Sequence, residues 1–152
     1  MTQEDKDLLL KDLCARLPYG VKATTTSNGW RDVYIVSGCN GDRIYLDCPV
    51  YDEGDDEWLI ESVKPYLRPM SSMNEEELKE LKTLCSIYIP TDSPTVGFED
   101  YGILIFTHHL TNNTYSFKLN IDSIDWLNAN HFDYRGLIEK GLALEAPEGM
   151  YN

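Results

Sequence analysis

Val21-Lys22-Ala23-Thr24-Thr25-Thr26, Asn28-Gly29, Asp32-Val33-Tyr34-Ile35, Asn40-Gly41 and Ile44-Tyr45-Leu46-Asp47-Cys48 follow one another near the front of the chain. In the first run Val21, Ala23 and Thr25 alternate with Lys22, Thr24 and Thr26, the period-2 pattern of a half-buried strand. The second run places Val33 and Ile35 on one face and Asp32 and Tyr34 on the other, and the third places Ile44, Leu46 and Cys48 opposite Tyr45 and Asp47. Each Asn-Gly between them takes readily to the positive φ of a hairpin turn. Pro49 lacks an N–H and ends the pairing. The stretch from Val21 to Cys48 therefore predicts a three-stranded antiparallel meander. Its apolar face needs a cover, for which the helical segments are the candidates.

Ahead of the meander, Thr2 is placed to cap a helix, with Gln3, Glu4 and Asp5 in its positive first turn. Leu10, Leu13, Cys14 and Leu17 form one stripe, while Asp7–Lys11 and Asp12–Arg16 are i,i+4 pairs assigned to the other side. Pro18 and Gly20 stop this helix. A second begins at Ser72 or Asn74, where Asn74 and Glu77 have capping-box form, and turns Leu78, Leu81 and Cys85 inward.

Between them, Tyr51–Trp58 reads as a solvated acidic loop. Its carboxylates lack the alternate spacing of a calcium-binding EF-hand. Pro65 and Pro69 make the next segment extended. Residues 90–101 are turn-rich and read as a loop, followed by strands at Ile103–Phe106 and Tyr115–Leu119 joined as a hairpin. Asp122 is placed to cap a third helix, ended by Asn130 in a left-handed conformation. Asp133 is placed to cap a short fourth, with Leu137 and Ile138 inward and Gly141 as its stop. Leu142-Ala143-Leu144 reads as a brief edge strand. The sum is an α+β fold: an antiparallel sheet of about five strands, the N-terminal meander plus a later hairpin, covered by three to four helices. The expected organisation is a single domain over residues 1–152, with 145–152 a loose tail.

The 152 residues are 42% hydrophobic and 26% charged, a globular composition. No apolar run reaches membrane-spanning length, and the acidic start is unlike a signal peptide, so the expected location is cytoplasmic with no membrane association. Cys14, Cys39, Cys48 and Cys85 show no CxxC pairing and read as buried small hydrophobes, against a catalytic thiol or zinc ligand. The formal net charge is −13, and no Lys or Arg occurs between Lys82 and Lys118, which argues against nucleic-acid binding. The same charge has two readings, solubility or imitation of DNA to capture a basic protein. His108 and His109 are adjacent, so on a strand they face opposite ways. A metal site from them with His131 needs a bend, and none is assigned. No glycine-rich phosphate loop or nucleophile motif stands out, so no catalytic residue and no cofactor are assigned.

One strip departs from this plain background. Lys64-Pro65-Tyr66-Leu67-Arg68 sets two cations beside an aromatic on a stiff backbone. Lys64, Tyr66 and Arg68 are candidate binding residues, Arg68 for a carboxylate and Tyr66 for contact area, with Tyr134 and Arg135 joining if the C-terminal part folds back. The competing reading is a connector that crosses the sheet with Tyr66 and Leu67 pinned to the core.

Two segments, Lys64-Pro65-Tyr66-Leu67-Arg68-Pro69-Met70-Ser71-Ser72-Met73 and the run from Trp126-Leu127-Asn128-Ala129-Asn130-His131-Phe132-Asp133-Tyr134-Arg135 to Ala143, resemble signatures of a group of uncharacterised small proteins of gut bacteria and their phages or prophages. The resemblance implies a phage or mobile-element accessory role and carries over no functional residue. The expectation is a non-enzymatic protein-interaction or accessory module with a protein partner. No pattern sets an oligomeric state. The alternatives are a metal-dependent or hydrolase-like enzyme built from dispersed His, Asp and Cys, or an acidic inhibitor of a basic DNA-binding protein.

Overall fold

Thr2 begins the first helix with a reciprocal cap. Its hydroxyl accepts from the Asp5 N–H at 3.1 Å, and the Asp5 carboxylate accepts from the Thr2 N–H at 3.0 Å. The computed structural model describes residues 1–26, 32–47, 56–85, 94–99, 103–108 and 114–151. Helix α1 spans Gln3–Arg16, and Gly20 closes the turn after it at φ +66°. The stripe it buries is not the expected one. Leu9, Asp12, Leu13 and Arg16 are the buried residues, and Cys14 is exposed. The Asp12–Arg16 pair therefore lies on the inner face, with both side chains 0% exposed. Helical spacing allows either stripe. The pairing of the two charges helps make the second one tolerable inside.

The meander is present. Strands β1 (Lys22–Thr25), β2 (Tyr34–Asn40) and β3 (Arg43–Asp47) pair antiparallel in sequence. Gly41, at φ +62°, turns β2 into β3, whereas the Asn28-Gly29 turn and Cys48-Pro49 lie outside the described residues. The faces of β2 are the reverse of the expectation. Tyr34 and Val36 are buried, while Val33 is exposed and Ile35 half-buried. Register decides this, because Tyr34 stands opposite buried Ala23 and Val36 opposite buried Leu46. Part of the supposed acidic loop is strand β4 (Asp56–Leu59), which pairs with β3. Ladder pairing orders these residues even though Asp56 and Glu57 stay exposed.

Strand β5 (Val63–Leu67) lies inside the sheet, between β1 and the two-residue parallel strand β9 (Leu144–Glu145). The order is β4-β3-β2-β1-β5-β9, mostly antiparallel. Pro65 stands opposite Ala23 and can donate nothing to the ladder. One pair further on, the Tyr151 hydroxyl carries the ladder: it accepts from the Lys22 N–H at 3.0 Å and donates to the Tyr66 carbonyl at 2.7 Å. Lys22 extends its ammonium to the Met150 carbonyl and lies against the Tyr151 ring. The expected loose tail is thus tied to the sheet, and the Ala146 N–H adds a bond to the Leu67 carbonyl. We expect Tyr151→Phe, which leaves one backbone donor and one acceptor short of a partner, to cost about 1–3 kcal/mol in urea unfolding. A loss below a few tenths would mean that water replaces the hydroxyl.

Two units emerge from the chain path, Met1–Leu67 with Leu137–Asn152, and Arg68–Gly136. The first holds α1, the six-stranded sheet and a core that includes Leu9, Leu13, Val36, Leu46 and Leu67. The second holds helices α2 (Glu75–Leu84) and α3 (Ile121–Ala129) and the antiparallel sheet of β6 (Pro94–Glu99), β7 (Ile103–His108) and β8 (Thr114–Lys118). β7 and β8 match the expected hairpin. β6 replaces much of the expected loop, since its turn-forming residues are held by pairing with β7. Asn120, not Asp122, caps α3, with its Oδ1 accepting from the Ser123 N–H at 2.8 Å. The expected fourth helix is a series of turns, with Gly136 at φ +69° and Gly141 at φ +70°, although Leu137 is buried as expected. Among the described residues no helix is long and apolar enough to cross a membrane.

Candidate functional site

In the second unit one arginine organises its surroundings through both backbone and side chain. The Arg68 N–H donates to the His131 carbonyl and the Arg68 carbonyl accepts from the Asp133 N–H, each at 2.8 Å. These two bonds hold Phe132 beside Arg68 as an isolated parallel bridge. The guanidinium lies over the Phe132 ring at 4.2 Å, and Trp126 stacks on that ring with centroids 5.7 Å apart.

The guanidinium also forks onto Glu77, with Nη1 to Oε1 at 2.8 Å and Nη2 to Oε2 at 3.0 Å. Glu77 Oε2 accepts in addition from the Asn74 N–H at 2.9 Å, completing the capping box of α2. One carboxylate thus caps a helix and anchors the arginine. Burial pulls the Glu77 carboxyl upward, but the hydrogen bonds from Arg68 and Asn74 and the Arg68 charge outweigh it and leave it below the ordinary value of 4.5.

The turn that presents Phe132 is the end of α3. His131 stands at φ +59°, the left-handed position usually given to glycine, so the expected stop at Asn130 falls one residue later. The His131 N–H donates to the Asn128 carbonyl and the Phe132 N–H to the Leu127 carbonyl, the paired bonds of a Schellman ending. Phe132 and Leu127 share a core with Leu81, Leu119 and Tyr134. The Tyr134 hydroxyl donates to the buried Asn128 Oδ1 at 3.1 Å, and Arg135 lies over the Tyr134 ring at 4.6 Å.

Of the five residues singled out from sequence, Arg68, Tyr134 and Arg135 belong to this unit, Arg68 lying over Phe132 and Arg135 over Tyr134. Lys64 and Tyr66 belong to the first unit, where Lys64 is half-buried and Tyr66 is buried in β5. Arg68 has the carboxylate it was expected to seek, supplied by its own chain. Phe132, Trp126 and the anchoring role of Glu77 had no local signal. His108 lies on β7 and His109 outside the described residues. Among the described residues no three His, Cys, Asp or Glu side chains gather as a metal site would require.

Comparison of the chain with protein-family models, curated proteins and solved structures gives no match.

Proposed function

We propose that this chain acts by binding another protein, through an acidic surface, rather than by catalysis. The observation that carries the reading is how the charges are divided. Arg16, Arg43 and Arg68 are paired with carboxylates of the same chain, as is Lys6. Glu75, Glu76 and Glu80 of α2 and Asp122 and Asp125 of α3 remain exposed, with Lys79 exposed among the α2 carboxylates, so the acidic groups outnumber the cation there. Such a surface attracts a basic partner and repels phosphate backbones. Ile121, 76% exposed at the start of α3, adds an apolar contact among these carboxylates. An accessory role in a phage or mobile element is the setting that the sequence resemblance adds, and a cytoplasmic location is the one the acidic start suggests.

The test is chemical cross-linking in a native lysate with wild type and a Glu75→Lys, Glu76→Lys, Glu80→Lys variant whose circular dichroism matches wild type. We expect the variant to lose a basic partner that wild type captures in low salt and releases in high salt. Equal recovery of the same partners by both proteins would remove the α2 surface from the proposal.

A further inference from the structure

Cys14 is exposed on α1, and Cys39 is half-buried on β2 against the core of the first unit. Both are free, and their side chains meet in a hydrogen bond between the two thiols. Each sits on a regular element, and α1 packs against β2, so the encounter is built into the fold. We propose that Cys14 and Cys39 form a reversible oxidation site, which closes to an intrachain disulfide on reaction with a low-molecular-weight disulfide such as oxidised glutathione. The proposal is independent of the binding role above.

Exposure assigns the order of steps. The Cys14 thiolate attacks one sulfur of oxidised glutathione. The glutathione S–S bond breaks, one glutathione leaves as thiolate, and Cys14 carries the other as a mixed disulfide. Cys39 then gives up its proton and attacks Cys14 Sγ, expelling the second glutathione. Two protein thiols are oxidised, and one glutathione disulfide is reduced to two thiols. Burial first, then the charge and hydrogen bond of Cys14, push the Cys39 thiol up to about 12. In the mixed disulfide Cys14 no longer contributes its charge or its thiol hydrogen bond, and burial alone holds the Cys39 proton, so the second step quickens as alkali raises the thiolate fraction.

The experiment treats the folded protein with oxidised glutathione, quenches with acid and measures intact mass and a non-reduced peptide map. We expect a monomer lighter by two hydrogens, with the Cys14 and Cys39 peptides joined. Cys14→Ser should leave Cys39 unable to close. A Cys48→Ser, Cys85→Ser variant should close like wild type, and the wild-type peptide map answers the question even if that variant fails to fold. Closing the loop from 14 to 39 should raise the thermal midpoint by about 10 °C, reversibly with dithiothreitol. Stable glutathione adducts without ring closure, disulfide-linked dimers, or a cross-link that uses Cys48 or Cys85 would each overturn the proposal.

Discussion

We expect Arg16→Ala to lower the stability of the first unit by about 3–5 kcal/mol, and Asp12→Ala to do nearly the same. Arg16 Nε donates to Asp12 Oδ2 at 2.8 Å and Nη2 to Oδ1 at 3.1 Å, one turn of α1 apart, with neither side chain reaching solvent. Removing one member leaves a charge that must stay buried against the leucine core or draw in water, and either is costly. Attraction within the pair largely offsets its desolvation, so the pair itself need not add stability. A double replacement, Asp12→Leu with Arg16→Met, should therefore recover most of what either single change loses. Urea unfolding of the four proteins closes a double-mutant cycle. Single losses below about 1 kcal/mol would mean that solvent reaches the pair.

This pair also marks where the sequence stops being legible. Period-2 alternation and the Gly-marked bend at Asn40-Gly41 are local, and β1, β2 and β3 follow from them. Hydrophobic periodicity found α1 but turned it by about one residue, because it sends an aspartate and an arginine outward by rule. The same local logic hid β6, whose proline and glycine signal a turn until β7 supplies a partner. It also made a helix of residues 133–141, where Gly136 and Gly141 adopt left-handed turns around the buried Leu137. At the candidate site, Asn74 and Glu77 were readable as a cap because they lie three residues apart. The fork from Arg68 to the same carboxylate was not, since the two residues are nine apart and only the folded turns between them bring the guanidinium to the start of α2. Phe132 is further still from Arg68 in sequence, and only the folded chain lays it under the guanidinium.

Glu77→Ala should cost the second unit about 3 kcal/mol, more than Arg68→Ala at about 2 kcal/mol. Glu77 takes part in both the helix cap and the guanidinium fork, so its removal loosens the start of α2 and the Arg68–Phe132–Trp126 stack together. Arg68→Ala leaves the reciprocal bonds of Asn74 and Glu77 in place. The pH dependence distinguishes the ion pair from the cap. The folded Glu77 carboxyl titrates below its ordinary 4.5, so the unfolded chain binds this proton first. The stability it contributes is complete above 4.5 and is lost as pH falls through the lower folded value. Amide exchange of α2 and α3, corrected for intrinsic rates, should show wild-type protection falling below that point. Glu77→Gln should start lower and change less across the same window, because glutamine keeps an acceptor for the Asn74 N–H but cannot pair with the arginine as a carboxylate does. If Glu77→Gln and wild type lose protection in parallel, the acid response belongs to other carboxylates, and Arg68 holds Phe132 by stacking and backbone bonds alone.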